Sequence, residues 1–378
     1  MHTRGAVIKQ APGTYEVVDL EVDDPRQGEI QVQMVASGLC HSDDHVRVGD
    51  IPLVEPGGFP FLGGHEGAGV VTKVGPGVTS VEEGDHVVLG FIPSCGRCPS
   101  CSSGHQNLCD NGATLLTGQA IADGSYRYKL GGKNLSPMCL LGTFSPYVTV
   151  HESSAIKIEN DIPLDKAALV GCGVTTGWGS SVYAADVRPG DTVVVIGIGG
   201  IGINAVQGAA LAGAKRVVAI DPVEYKREQA MEFGATHTFA SMSEAAEPLV
   251  DITWGRGAEK AILTVGRIEG SMIQEMLTLV SKGGTGVVTA MGQADMVNVP
   301  LSLFELALLQ KRLQGAIFGG GNPRFDIPKL LGLYREGQLK LDELVTKRYK
   351  LEDINQGYAD MMDGKNLRGL IDYGDEDY

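Results

Sequence analysis

The run Val193-Val194-Val195-Ile196-Gly197-Ile198-Gly199-Gly200-Ile201-Gly202 constrains the fold more than any other part of the chain. An unbroken β-branched run reads as a strand buried on both faces, the situation in a parallel sheet covered by helices. Gly197, Gly199, Gly200 and Gly202 then form G-x-G-x-x-G, and the small residues of Ala205–Ala214 continue as a helix. Five further runs, Arg216–Ile220, His237–Ala240, Lys260–Thr264, Gly286–Ala290 and Leu313–Phe318, alternate with helical stretches such as Val223–Phe233 and Ser271–Leu279. This alternation predicts an α/β fold with a doubly wound, six-stranded parallel sheet. A glycine turn opening a helix suits a pyrophosphate, and Asp221, ending the next strand, suits the adenosine ribose hydroxyls. Its carboxylate repels a 2′-phosphate, so NAD is favoured over NADP. Lys226 either touches the same ribose or is a solvated helix residue.

Ahead of this region the pattern is different. Short alternating segments, Ala6–Lys9, Glu29–Ala36, Gly69–Val74 and Asp85–Leu89, are separated by turns such as Gly75-Pro76-Gly77 and predict a mostly antiparallel β domain. Its loops carry the reactive residues: Cys40-His41-Ser42-Asp43-Asp44-His45, and Gly64-His65-Glu66-Gly67 with an imidazole among glycines. A third thiol lies in Gly171-Cys172-Gly173. Cys40, His65 and Cys172 together have the donor set of an open zinc site, which keeps three protein ligands and leaves the fourth position to water or substrate.

Cys95, Cys98, Cys101 and Cys109 place four thiols within fifteen residues, with Gly96, Pro99 and Gly104 to turn the chain. One tetrahedral zinc would close such a lobe. Two local disulfides or an iron–sulfur cluster are the other uses of this spacing, the first requiring an oxidising compartment. Cys139 has no partner in this scheme and reads as a buried apolar residue. Residues 111–147 have weak periodicity and either line a substrate cleft or wrap the β domain.

At 378 residues the chain has room for two domains, and a net charge of -15 argues against nucleic acid or an anionic membrane as a main partner. Met1–Gln10 lacks a signal-like apolar core, and the most apolar run, Thr192–Ile203, is too short and glycine-broken to span a bilayer. Seven cysteines at metal-type spacing suit a reducing compartment, so a cytoplasmic chain is expected.

With these motifs in hand, the chain resembles the zinc-dependent medium-chain alcohol dehydrogenases over essentially its full length. The resemblance implies a GroES-like catalytic domain (1–174, with a structural zinc lobe at 95–109), a Rossmann coenzyme domain (175–317) and a return to the catalytic domain (318–378). It implies two zinc ions per chain and NAD(H), with Cys40, His65 and Cys172 holding the catalytic zinc and Cys95, Cys98, Cys101 and Cys109 the structural one. Ser42 matches the hydroxyl that bonds the alcohol, and His45 the far end of a proton relay. Asp43 matches the carboxylate that orients the zinc-bound histidine, Glu66 a carboxylate behind zinc, and Arg368 a pyrophosphate-binding arginine. His41 stands where the vertebrate branch has an arginine on the pyrophosphate, and Cys172 separates the chain from the polyol branch, which has a carboxylate there.

Thr3-Arg4-Gly5-Ala6-Val7-Ile8 and Gly112-Ala113-Thr114-Leu115-Leu116-Thr117-Gly118 also resemble the actinobacterial nicotinoprotein branch, whose members keep NAD(H) bound. The expected reaction is reversible oxidation of primary alcohols to aldehydes by hydride transfer to NAD, with an external electron acceptor if the coenzyme stays bound. Residues 111–147 or Gly319–Pro323 would then close over it. The other readings are an alcohol or glutathione-linked formaldehyde dehydrogenase with dissociable NAD, a zinc-free quinone or enone reductase, and a non-catalytic NAD(H)- and zinc-binding protein. A homodimer or homotetramer is expected, because the strand Leu313–Phe318 would end the coenzyme sheet as an open edge.

Overall fold

The computed structural model describes Met1–Tyr378, which divide into two compact units, Met1–Cys172 with Asn322–Tyr378 and Gly173–Gly321. The first unit is built on the strand Glu29–Gly38, in which Ile30, Val32, Met34 and Ala36 are all buried. That strand pairs antiparallel with Gly67–Val74, Tyr147–His151 and Arg368–Asp372 in a seven-stranded sheet. A separate closed barrel joins His2–Ile8, Tyr15–Val22, Tyr128–Leu130, Lys133–Pro137 and Phe61–Leu62. Residues 111–147 therefore do have regular structure, since two barrel strands lie within them. Those strands have three and five residues, too short for alternation to reveal. A buried ion pair, Arg127 Nε to Glu29 Oε2 at 2.7 Å, ties this stretch to the central strand.

The second unit is a six-stranded parallel sheet in the order His237–Phe239, Arg216–Ile220, Thr192–Ile196, Ala258–Leu263, Val280–Val288, Arg312–Gly315. This is the doubly wound topology that the strand–helix alternation predicts. The fifth strand begins six residues before the expected Gly286, because Gly283 (φ 72°) and a register shift interrupt its apolar pattern. The last strand, Arg312–Gly315, lies at the edge of the sheet with every residue exposed. No helix is long and apolar enough to cross a membrane.

Candidate active site and zinc centres

Strand register brings the three reactive segments of the first unit together. Ser37 pairs with Gly67, and Gly67 in turn with Leu89, so three strand ends lie side by side. Cys40 follows the first of these ends, His65 precedes the second, and Gly171 packs on the third so closely that a Cβ there would sit 2.5 Å from Leu89 O. Only glycine fits at that approach. As a result the ligand atoms of Cys40, His65 and Cys172 lie within 4.8 Å of one another, with the residues 5%, 1% and 4% exposed.

Cys40 lies in the two-residue connection that follows the strand Glu29–Gly38, as the turn-rich pattern suggests. It caps the helix His41–Val48, which Gly49 ends in the left-handed conformation. This helix carries Asp43 inward with no exposed surface. One Asp43 oxygen accepts from Gly64 N–H at 2.7 Å, and the other is 2.8 Å from His65 Nδ1. An anion facing Nδ1 favours a proton on that nitrogen and leaves Nε2 as the donor available to a metal, as behind zinc-bound histidines. Burial opposes charge on His65, but Asp43 and Cys40 outweigh it and raise the imidazole well above its ordinary range. The Cys40 thiol is held well below its usual range by the hydrogen bond from Cys172 and by the His65 charge, against the effect of burial. A site that stabilises a thiolate beside an oriented imidazole fits a zinc ion.

Ser42 Oγ lies 3.7 Å from Cys40 Sγ, at the edge of this cluster. His45 is buried on the same helix, with Nδ1 3.1 Å from Asp50 Oδ2. Sequence reasoning missed Asp50; the signal was a carboxylate directly after the glycine that stops the helix. His41 is half-buried on the first turn. Glu66 is fully buried and paired with the Arg368 guanidinium. A Cβ on Gly38 would lie 2.0 Å from Glu66 Oε2, so the glycine makes room for that pair. The structure thus places Arg368, expected on a pyrophosphate, against the carboxylate behind the cluster.

The four lobe cysteines also have their sulfurs within 4.8 Å of one another. Cys98 and Cys109 Sγ are 3.8 Å apart, matching the edge of about 3.8 Å of a tetrahedron with Zn–S bonds of about 2.3 Å. All seven cysteines are free thiols, and this spacing is far longer than a disulfide. Backbone N–H groups point at the sulfurs: Cys98 N to Cys95 Sγ at 3.3 Å, Cys101 N to Cys98 Sγ at 3.4 Å, Asp110 N to Cys98 Sγ at 3.3 Å. Burial disfavours ionisation of Cys95, yet the Arg97 and Cys98 amides lower its pKa to about 7, whereas burial pushes Cys109 up to about 12. Cys139 lies outside both sets and is pushed up to about 12 by burial, so it is a neutral thiol.

In the second unit Gly197 has φ 88°, and a Cβ on Gly202 would lie 1.8 Å from Gly197 O, so both positions require glycine. A Cβ on Gly199 would meet open space, leaving that stretch of backbone approachable. This fits a dinucleotide, whose pyrophosphate must come close to the second glycine. Gly200 O accepts from Asn204 Nδ2 at 2.8 Å. Asp221 is buried and accepts from Ile198 N–H at 2.7 Å and Val223 N–H at 2.9 Å, bracing the glycine turn. Lys226 is half-buried on the helix Glu224–Glu232, while its unforeseen neighbour Arg227 donates to Asp221 O at 2.8 Å. The segment expected as a closing loop, Gly319–Pro323, begins as a packed turn, where a Cβ on Gly319 would lie 2.6 Å from Thr176 O.

An alcohol dehydrogenase GroES-like domain model matches residues 26–160, and a zinc-binding dehydrogenase model matches residues 200–336. The chain is 54% identical over 377 residues to alcohol dehydrogenase B of Mycobacterium tuberculosis, covering 100% of each. The chain belongs to the zinc-dependent medium-chain alcohol dehydrogenases. It is also 51% identical to an NDMA-dependent alcohol dehydrogenase of Amycolatopsis methanolica, covering 98% of this chain and 99% of that one. Among solved structures, benzyl alcohol dehydrogenase of Acinetobacter calcoaceticus superposes with a TM-score of 0.90 at 28% identity, covering 99% and 100% of the two chains. As a member of this family the chain is an NAD-dependent zinc oxidoreductase that oxidises alcohols reversibly.

Proposed function

We propose that this dehydrogenase oxidises primary alcohols with Cys40, His65 and Cys172 holding the catalytic zinc, and that NAD(H) stays bound through turnover. Zinc held by these residues would supply Lewis acidity that lowers the pKa of the alcohol hydroxyl, and NAD held at the glycine turn would supply the hydride acceptor. Asp43 holds His65 in the tautomer that leaves Nε2 for the metal. Ser42 Oγ accepts the hydroxyl proton as it releases its own, and His45, oriented by Asp50, is the outer acceptor of that proton, reached through the nicotinamide ribose hydroxyl. Cys95, Cys98, Cys101 and Cys109 hold the second zinc, which closes their lobe.

The full-length likeness to the NDMA-dependent enzyme carries the retained-coenzyme reading. An external acceptor then recycles the coenzyme, since a bound nicotinamide cannot exchange with the pool. Gel-filtered protein is denatured and its supernatant examined for nicotinamide absorbance, with alcohol oxidation assayed in parallel using NDMA and no added NAD. Near-stoichiometric coenzyme and acceptor-dependent turnover are expected. An empty supernatant with activity strictly dependent on added NAD returns the chain to dehydrogenases with exchangeable coenzyme.

The partner chain is a second copy, joined through the exposed edge strand Arg312–Gly315. Apolar side chains flank that edge: Leu303 and Phe304 are 70% and 76% exposed and Leu308 66%. Such a surface is covered in a stable protein. Light scattering at micromolar concentration is expected to give a dimer or a multiple of one, and a monomer contradicts it.

A further inference from the structure

The edge of the parallel sheet away from the glycine turn carries a basic, aromatic surface that the reaction does not use. The glycine turn follows the C-terminal end of Thr192–Ile196, whereas Lys215 and Arg256 precede the N-terminal ends of Arg216–Ile220 and Ala258–Leu263. These strands are parallel, so the two sets lie at opposite ends of the sheet. Trp254, one of only two tryptophans in the chain, is 77% exposed. Lys215 Nζ is 5.7 Å from its ring centroid and the Arg256 guanidinium carbon 5.9 Å. Arg216 adds a third cation, with Nη1 buried and lacking a hydrogen-bond partner.

Two features of Trp254 cost stability and return little to the fold. Its φ is 53°, a left-handed position just past the helix Met242–Ile252, where glycine is the usual residue. Its ring also stays in water, although aromatic area is among the most favourable to bury. Nor do the helices account for the cations. Lys215 and Arg256 lie four residues past Leu211 and Ile252, the last residues of their helices, beyond the turn over which a helix dipole favours positive charge. Asp191 and Asp251 meet this segment through their carbonyl oxygens, accepting from Lys215 N–H at 2.8 Å and from Trp254 N–H at 3.2 Å.

We propose that this face docks a partner protein through an acidic segment, with Trp254 as the central contact and Lys215, Arg216 and Arg256 pairing with its carboxylates. Tryptophan and arginine are the residue types that carry most binding energy at protein interfaces. Exposed aliphatic side chains adjoin the cations in the chain: Leu211 (43%) ends one helix, and Val250 (48%) accepts from Gly255 N–H at 2.8 Å through its carbonyl. Leucine and valine offer nothing to a phosphate backbone, and three cations on a chain of net charge -15 are too few to hold nucleic acid. The same net charge makes a basic face selective, since an acidic partner is repelled by the rest of the surface. The glycine turn lies at the other edge of the sheet, so docking tethers the enzyme without covering its coenzyme turn.

The test uses the zinc- and coenzyme-loaded protein and a short fluorescein-labelled glutamate peptide with interspersed leucines, followed by anisotropy. Saturable binding is expected at low salt and should weaken as ionic strength rises. Trp254→Ala should weaken it about tenfold. Lys215→Glu combined with Arg256→Glu should weaken it about a hundredfold, with turnover of a primary alcohol at the wild-type level. Trp254→Gly suits the left-handed backbone and should lose peptide binding at an unchanged melting temperature. A melting temperature several degrees lower would make the tryptophan a structural residue and overturn the proposal. Absence of binding, equal binding of a peptide with lysine in place of glutamate, or affinity unchanged by the charge reversals overturns it too. Tighter binding of duplex DNA or of phosphatidylglycerol vesicles does the same. A smaller assembly of Trp254→Ala in light scattering also contradicts it, by assigning the face to a second copy of this chain.

Discussion

The two cysteine clusters offer similar donors in opposite settings. The Cys95–Cys109 lobe takes all four sulfurs from fifteen residues of chain and orients them with its own backbone amides. Cys40, His65 and Cys172 come from three distant segments aligned by strand register, and their support is a side-chain carboxylate, Asp43. A lobe with so few apolar residues depends on its metal for shape, whereas the second cluster sits on a sheet that folds for other reasons. The difference teaches which metal is structural and which is available for chemistry: four ligands fill a tetrahedron and three leave a vertex open.

The largest contrast is expected from two cysteine replacements. Cys40→Ser should leave a folded protein with kcat reduced by about a thousandfold or more, because the loss is of Lewis acidity worth several kcal/mol. Cys98→Ser should instead reduce folding yield and lower the melting temperature, because metal binding is folding energy in such a lobe. Activity assays and circular dichroism on both variants check this, and reversed phenotypes would mean that the roles are exchanged.

A smaller effect separates the two kinds of support. Asp43→Asn keeps the shape of the side chain but not the charge facing His65, and should weaken zinc binding and activity by about ten- to a hundredfold. The lobe metal should be unaffected. Competition with a colorimetric chelator resolves the two sites, and equal weakening of both contradicts the account.

The smallest effect concerns the lobe without its metal. Thiolate is the form that is alkylated, and Cys95, with a pKa of about 7, is half ionised near neutrality, whereas Cys109, at about 12, stays protonated. Between pH 6 and 8 a brief iodoacetamide pulse given as a chelator strips the metal, before the lobe loses its shape, and read by mass spectrometry, should reach Cys95 before Cys109. Its rate at Cys95 should level off above about pH 8. Labelling of Cys109 first would contradict the amide-to-sulfur bonds as the source of the asymmetry.

The same contrast explains what sequence alone could show. The lobe was legible because its information is local: turns and thiols within one short segment. The glycine turn was legible for the same reason, since strand, glycines and helix are contiguous from Thr192 to Leu211. The Cys40, His65 and Cys172 set was legible only as chemistry, because register between strands decides that the three meet. Residues 128–137 were not legible, since their pairing closes a barrel with strands more than a hundred residues earlier in part. The Arg127–Glu29 and His45–Asp50 pairs escaped notice for a related reason, as a charged residue carries no sign in sequence that its partner will be buried with it. The pairing of Arg368 with Glu66 depends on Gly38, whose missing Cβ has meaning only once the strands are placed.

Metal analysis of three proteins side by side bears most directly on the division between the clusters. Zinc should be found at about two ions per chain in the wild type and about one in Cys40→Ser, which has lost the three-ligand site and its activity but kept its fold. The folded fraction of Cys98→Ser should also hold about one, with the catalytic ion retained and alcohol oxidation still measurable. A wild-type chain with a single zinc, or a Cys40→Ser protein that keeps both ions and full activity, would contradict the account.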